Sequence, residues 1–138
     1  YVLQSKNHDL IGLKEEIECI ESFIFLHKVR MGNALNFDIQ VSGDTLTMKL
    51  PPLTLQILIE NAIKHNVANE EHVLNITICK CEEFKLEVKN NLNPKLDLNS
   101  THTGLSNIRS RYALLKKGEI EVIRTPDEFI VLVPLIED

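Results

Sequence analysis

The sequence predicts an α+β protein: a two-layer α/β sandwich whose mixed, mainly antiparallel sheet of about five strands carries three helices on one face. Two observations lead to this prediction. Helical and strand-like hydropathy periods follow one another in the order helix, strand pair, helix, strand pair, loop, helix, strand pair. Strand pairs separated by single helices are typical of such a sandwich. The length of 138 residues is that of one domain.

The first half of the chain is predicted to form a helix, a β-hairpin and a second helix. Residues 10–31 repeat apolar side chains at helical spacing, and a Gly-Asn pair ends that helix. Residues 35–50 alternate apolar and polar side chains on either side of a Gly-Asp turn, which predicts the hairpin. Two prolines then interrupt the strand pattern, and residues 53–66 return to a helical pattern.

The second half contains two strand pairs, one long irregular segment and one helix. The irregular segment, residues 91–103, is rich in Asn, Thr and Pro, and loops of this length are usually functional. The predicted helix covers residues 104–116, and the predicted strands cover residues 72–81, 84–90, 119–124 and 127–135.

The composition excludes several classes of protein. Hydrophobic residues make up 43% of the chain and charged residues 25%, which is typical of globular proteins and not of disordered or fibrous ones. Fifteen basic and twenty acidic side chains leave a net charge of −5. A broad phosphate-backbone footprint is not expected on such a surface, so we predict no nucleic-acid partner. A single phosphorylated small molecule needs only a local basic patch.

Polar side chains are concentrated at the end of the predicted helix at 53–66. Asn61 and His65 are four residues apart, as are Glu60 and Lys64, so each pair lies along one side of the helix. Together with Asn66 they offer a carboxylate, two carboxamides, an ammonium and an imidazole. This set suits a metal-bound polyphosphate, with the Asn61 oxygen on Mg²⁺ and Lys64 on phosphate. The alternative is a solvated helix end whose cations favour the C-terminal dipole.

The start of the predicted helix near Gly104 supplies a second polar element. Thr101, Thr103 and Gly104 precede this helix, so its first unpaired N–H groups face the region enclosed by the long loop. Such an end can bind an anion. An ordinary helix capped by threonine explains the same residues.

Four segments, in this order, resemble the GHKL superfamily of ATPases and kinases. The Glu60–His65 run is most similar to the LytS-like bacterial sensor histidine kinases, and the opening helix resembles the segment that precedes their ATP domain. The four segments are PPLTLQILIENAIKHN (51–66), which resembles the N box; FKLEVKNNL (84–92), which resembles the strand entering the G1 box; TGLSNIRSRYALL (103–115), which resembles the G2 box and its helix; and FIVLVPL (129–135), which resembles the closing strand.

This resemblance implies a Bergerat-type ATP-binding fold for residues 33–138. Residues 1–32 would then form a helix that links from a dimerisation and phosphoacceptor domain, absent here, and packs on the ATP domain. The implied cofactors are ATP and Mg²⁺, and the implied activity is that of a protein-histidine kinase, whose phosphoryl group passes to a response regulator. The isolated domain is not expected to autophosphorylate. The parent kinase is expected to be homodimeric and anchored in the bacterial inner membrane, with this domain in the cytoplasm.

The resemblance also implies roles for individual residues. Asn61 would coordinate Mg²⁺, Lys64 and His65 would approach the phosphates or ribose, and Glu60 would polarise the reacting groups. Asn90 would stand near the adenine. The remaining members of the implied ATP-binding set are Asn66, Thr103, Gly104 and Leu105, the last two beneath the phosphates.

Two departures from the family pattern keep alternatives open. Asn90 stands where the G1 box normally has Asp, and replacing that carboxylate changes the adenine contact by about 1 kcal/mol. The G2 box keeps only its last glycine, Gly104. A degenerate, non-catalytic domain of the same fold, used for docking or dimerisation, is the first alternative. An anti-sigma-type serine kinase with the same ATP fold is the second.

Overall fold

The computed structural model describes residues 10–95 and 103–137, which contain three α-helices and seven strands. The helices are α1 (Leu13–Met31), α2 (Thr54–His65) and α3 (Thr103–Leu115). The strands are β1 (Ile11–Gly12), β2 (Leu35–Gln40), β3 (Lys49–Leu50), β4 (Leu74–Glu82), β5 (Lys85–Asn91), β6 (Glu121–Arg124) and β7 (Glu128–Pro134).

The main sheet has five strands in the order β2-β4-β5-β7-β6. β2 runs parallel to β4, and every other neighbouring pair is antiparallel. β1 and β3 form a separate antiparallel pair. The predicted fold class, with its mixed and mainly antiparallel sheet of five strands and its three helices, is confirmed.

The core lies between one face of the main sheet and the helices. Ile78, Val88 and Val131 stand opposite one another across β4, β5 and β7, and all three are buried. Because side chains alternate between the two faces of a sheet, these residues mark the covered face. Each helix contributes to the same hydrophobic cluster, α2 through Leu55 and Ile59, for example. Burial on one face of the sheet is what a two-layer sandwich produces.

The predicted hairpin at 35–50 is wrong. β2 pairs with β4, whereas β3 pairs with β1, and Ile11 stands opposite Leu50. Between β2 and β3 the chain forms a 3₁₀ turn that begins at Gly43, whose positive φ of 65° suits glycine. The alternation at the start of the predicted hairpin does mark β2, but residues 43–47 are 3₁₀ and only Lys49–Leu50 forms a strand there. The partners of β2 and β3 come from distant parts of the chain.

The same pairing moves the start of the first helix. Residues 10–12 were predicted to be helical, but Ile11 and Gly12 form β1, and the Leu13 N–H donates to the Met48 carbonyl at 2.8 Å. α1 ends where the sequence predicts, because Gly32 has a positive φ of 59°. In the described part of the chain, no helix combines the length and apolarity needed to cross a bilayer.

Candidate functional site

A cavity of about 430 Å³ opens at the end of the sheet where α2 finishes and α3 begins. Five of the nine predicted site residues line it: Asn61 and His65 from α2, Asn66 directly after α2, Asn90 from β5 and Leu105 from α3. The sheet brings the last turns of α2 and the first turn of α3 to one place, although about 40 residues separate them in sequence. The volume is within the range of small-molecule sites.

Gly104, the neighbour of the lining residue Leu105, packs close to Asn61. A Cβ atom placed on Gly104 would lie 3.1 Å from Asn61 Nδ2, 3.3 Å from Asn61 Oδ1 and 2.8 Å from the Ile57 side chain. A side chain larger than hydrogen fits there only if the Ile57 and Asn61 side chains, or α2 itself, move. The glycine is therefore required for the close approach of α3 to Asn61.

Asn66 fastens one wall of the cavity. The residue is only 4% exposed, its Nδ2 donates to the Ala62 carbonyl at 2.9 Å, and its Oδ1 accepts from Asn93 N at 2.8 Å. Backbone bonds from Val67 N to Asn93 O and from Lys95 N to His65 O join the same two segments. Asn66 thus holds the chain that leaves β5 against the end of α2, in addition to lining the cavity.

Asn90 lies on the floor of the cavity, next to residues that sequence reasoning did not identify. It is 6% exposed, and the strand register places it opposite Phe129, which in turn stands opposite Arg124. The Asn90 Nδ2 donates to the Asn91 carbonyl at 2.8 Å, which leaves Oδ1 as the hydrogen-bond acceptor of this side chain. The alternation of β6 and β7 was visible in the sequence, but their register with Asn90 was not.

The charged side chains that line the cavity are cationic, although the whole chain carries a charge of −5. Lys95 and Arg124 are both exposed at its edge, and no carboxylate is among the lining residues that the structure describes. Such a lining favours an anion locally. The sequence pattern indicates only that Lys95 belongs to the irregular loop and Arg124 to a strand.

Glu60 and Lys64 are exposed and are not among the residues that line this cavity. Glu60 lies close enough to α1 for its carboxylate to act on His27. Burial and the charge of the neighbouring Arg30 lower the pKa of His27, and the Glu60 carboxylate acts against that shift. The i, i+4 spacing predicted the neighbours of Glu60 within α2 but not the element that it faces.

The two remaining predicted residues, Thr103 and Gly104, are the first two residues of α3. Thr103 is the first residue of α3, and its side chain is not described. Thr101 and most of the long loop lie outside the described residues. Among the described residues, no group of three or more His, Cys, Asp or Glu side chains could hold a metal ion. The oxygen donors that the cavity offers are carboxamides.

The fold is that of histidine kinase catalytic domains. The chain superposes on the catalytic domain of histidine kinase ThkA, in a nucleotide-free form, with a TM-score of 0.62 and 19% identity over 93% of this chain and 97% of that one. It also superposes on the Acinetobacter baumannii histidine kinase AdeS, with a TM-score of 0.58 and 15% identity over 93% of this chain and 67% of that one.

In sequence, the chain is similar to LytS sensor histidine kinases. It is 31% identical over 70 residues to Sensor protein LytS of Staphylococcus saprophyticus, which is 51% of this chain and 12% of that protein. It is 29% identical over 87 residues to the sensor histidine kinase/phosphatase LytS of Staphylococcus aureus, 63% of this chain and 15% of that protein. The chain thus spans a small part of these relatives. No model of a known protein family matches it. The resemblance to LytS-like sensor histidine kinases is confirmed.

Proposed function

We propose that this chain is the ATP-binding catalytic domain of a two-component sensor histidine kinase. Its task would be to bind Mg-ATP and to present the γ-phosphate to a histidine on a separate domain. The observation that carries the proposal is the close approach of Gly104 to Asn61 beside a cavity whose charged lining residues are cations. A polar side chain packed against the start of a helix suits a phosphorylated ligand.

The residues present fit a magnesium ion that is held mainly by its nucleotide. Mg²⁺ keeps several waters and usually takes only one or two protein oxygens in addition to substrate phosphates. The Asn61 Oδ1 atom is the proposed protein ligand. When bound, the ion would neutralise phosphate charge, and this chain would orient the nucleotide.

The two ends of the cavity suit the two ends of ATP. Asn90 Oδ1 would accept a hydrogen bond from the adenine amino group, and the Phe129 ring would give that end an apolar wall. At the other end, Gly104 and Leu105, which begin α3, would lie close to the phosphates. Thr103 would complete this end, and Asn66 would hold the wall between the two.

The exposed positions of Glu60 and Lys64 limit what they can do within this chain. We propose that His65 contacts the phosphates or ribose, and that Lys64 reaches them from outside the cavity. Glu60 would act only when the phosphoaccepting histidine of the other domain approaches. This division agrees with a reaction in which the ATP domain positions and polarises the phosphate while another domain supplies the nucleophile.

The proposal extends to the parent protein. Residues 1–32 would link this domain to a dimerisation and phosphoacceptor domain, residues 33–138 would bind ATP, and a response regulator would receive the phosphoryl group. We expect the parent to be a homodimer anchored in the bacterial inner membrane, with this domain in the cytoplasm.

Calorimetric titration with a non-hydrolysable ATP analogue and Mg²⁺ tests the proposal. We expect saturable binding by the wild type and at least a tenfold weaker Kd for Asn61→Ala. Asn36→Ala is the matched control, because Asn36 is an exposed asparagine on β2 whose side chain bonds, among the described residues, only to that of Asn75. If the wild type fails to bind at millimolar nucleotide, a docking or dimerisation role replaces this proposal.

A further inference from the structure

A buried glutamate of α1 caps the start of α2. Glu16 is 2% exposed, its Oε1 accepts from Leu53 N at 3.0 Å, and its Oε2 accepts from Leu55 N at 2.9 Å. Leu53 is the N-cap of α2, so these two N–H groups have no partner inside the helix. A carboxylate is a strong acceptor at this positive end of the helix dipole.

The turn that Glu16 holds is strained and is clamped from a second side. Leu53 has a φ of 68°, a conformation that is uncommon for a residue other than glycine. Arg111 of α3 donates to the Pro52 carbonyl, and its positive charge acts on Glu16. The first turn of α2 is therefore held by side chains from both of the other helices.

Capping from another helix has a consequence that a local cap would not have. A Ser, Thr, Asp or Asn at the N-cap would satisfy these N–H groups without involving α1. Here the N-cap is Leu53, and its own side chain caps nothing. Burying a carboxylate is costly unless it is well paired. The position of α1 is thus tied to the position of α2.

α2 carries this tie to the candidate ligand site. Asn61 lies six residues beyond Leu55 on the same helix, which is about 9 Å along the axis. Asn61 has little room on this side, because a Cβ on Gly104 of α3 would lie 3.1 Å from its Nδ2. A shift of α2 along or around its axis therefore changes the contact between Asn61 and Gly104.

We propose that Glu16 is a positioning residue for the nucleotide site, and that its hydrogen bonds to Leu53 and Leu55 transmit the position of α1 to Asn61. The proposal rests on the proposed function, since the nucleotide is the ligand whose binding is tuned. Because coupling between two sites is reciprocal, nucleotide binding would also tighten the hold of Glu16 on α2. A displacement of α1 would lower the affinity for nucleotide without any change in the residues that touch it.

The test compares Glu16→Gln with Glu18→Gln. Both substitutions remove one negative charge from α1, but Glu18 is exposed and Glu16 is buried. In Glu16→Gln, the amide nitrogen faces one of the two N–H groups that the carboxylate had accepted. Both variants and the wild type are measured at a temperature at which circular dichroism shows each to be folded.

The first measurement needs no nucleotide. In ¹⁵N NMR spectra, we expect Glu16→Gln to shift the Asn61 side-chain amide and the Gly104 backbone amide, and Glu18→Gln to leave both unchanged. The second measurement is the Kd for Mg²⁺ and the ATP analogue, which we expect Glu16→Gln to raise about fivefold or more, as for a typical coupling.

Unshifted Asn61 and Gly104 signals in folded Glu16→Gln would overturn the inference. An unchanged Kd together with a lowered unfolding temperature would also overturn it. Either result would make Glu16 a purely structural cap. A wild type that binds no nucleotide would overturn the proposed function, and with it the tuning of affinity. The NMR comparison would still decide whether α1 is coupled to Asn61. The two failures are therefore distinguishable.

Discussion

At the scale of single residues, the site depends on the close packing of Asn61 and Gly104. A Cβ on Gly104 would meet the polar end of Asn61 and a methyl group of Ile57, both on α2. A methyl group in that space must move either α2 or the Asn61 side chain. Gly104, the G2-box glycine that this chain keeps, is thus the glycine that the packing of α3 on α2 favours.

Gly104→Ala tests this packing. We expect the free energy of unfolding to fall by about 1–3 kcal/mol, because a methylene-sized group is forced into a filled space. We also expect the Kd for Mg-nucleotide to rise at least tenfold, because Asn61 is displaced. Denaturant unfolding and calorimetry measure the two effects. Ser110→Ala, an exposed substitution on the same helix, is the control, and a destabilised Gly104→Ala that binds normally would contradict the account.

At the scale of elements, three side chains join the helices to their surroundings at buried positions. Glu16 joins α1 to α2, Asn66 joins the end of α2 to the segment after β5, and Tyr112 joins α3 to the sheet by donating from its hydroxyl to the Pro134 carbonyl at 2.7 Å. Each joins polar groups that burial would otherwise leave unsatisfied. The cavity walls are therefore fixed by polar contacts as well as by the apolar core.

The charge of Glu16 makes the joint between α1 and α2 dependent on pH. Burial raises the pKa of Glu16, and this effect outweighs the bonds from Leu55 and Leu53 and the charge of Arg111, which lower it. The unfolded chain therefore loses the Glu16 proton near the ordinary pKa of 4.5, whereas the folded chain keeps this proton to a higher pH. Glu16 contributes most stability below that pH and loses part of it as the pH rises through the raised pKa.

Denaturant unfolding of the wild type and Glu16→Gln between pH 4 and pH 8 measures this contribution. We expect the stability of the wild type relative to Glu16→Gln to be greatest near pH 4. It should decrease with rising pH by at most about 1.4 kcal/mol per pH unit, and then level off. The other carboxylates are common to both proteins and cancel. A relative stability that grows with pH would mean that the hydrogen bonds and Arg111 outweigh burial.

At the scale of the whole molecule, local patterns predicted the elements but not all of their partners. The helical pattern at 53–66 and the alternation at 84–90 depend on neighbouring residues, and both elements are found there. The pairing of β2 with β4, and of β1 with β3, depends on contacts between distant segments, which no local pattern records. The predicted hairpin failed for that reason.

The site shows the same division between local and distant information. Asn61, His65 and Asn66 could be placed together because they lie close in sequence at the end of one helix, and Asn90 and Leu105 because the resemblance supplied their order. Phe129 and Arg124 join Asn90 only through the register of three strands. Glu16 reaches α2 from about 40 residues away in sequence. Spacing within a segment carries no signal for either arrangement.

The central claim is that one nucleotide binds where α2, β5 and α3 meet, and a residue-resolved NMR titration with Mg²⁺ and the ATP analogue tests it most directly. The account predicts that the signals of Asn61, Asn90, Gly104 and Phe129 shift together and saturate with a single Kd. Signals of the opposite face of the sheet, such as those of Thr77 and Glu87, should stay unchanged. Saturable shifts confined to that opposite face, or no shifts at millimolar nucleotide, would contradict the account.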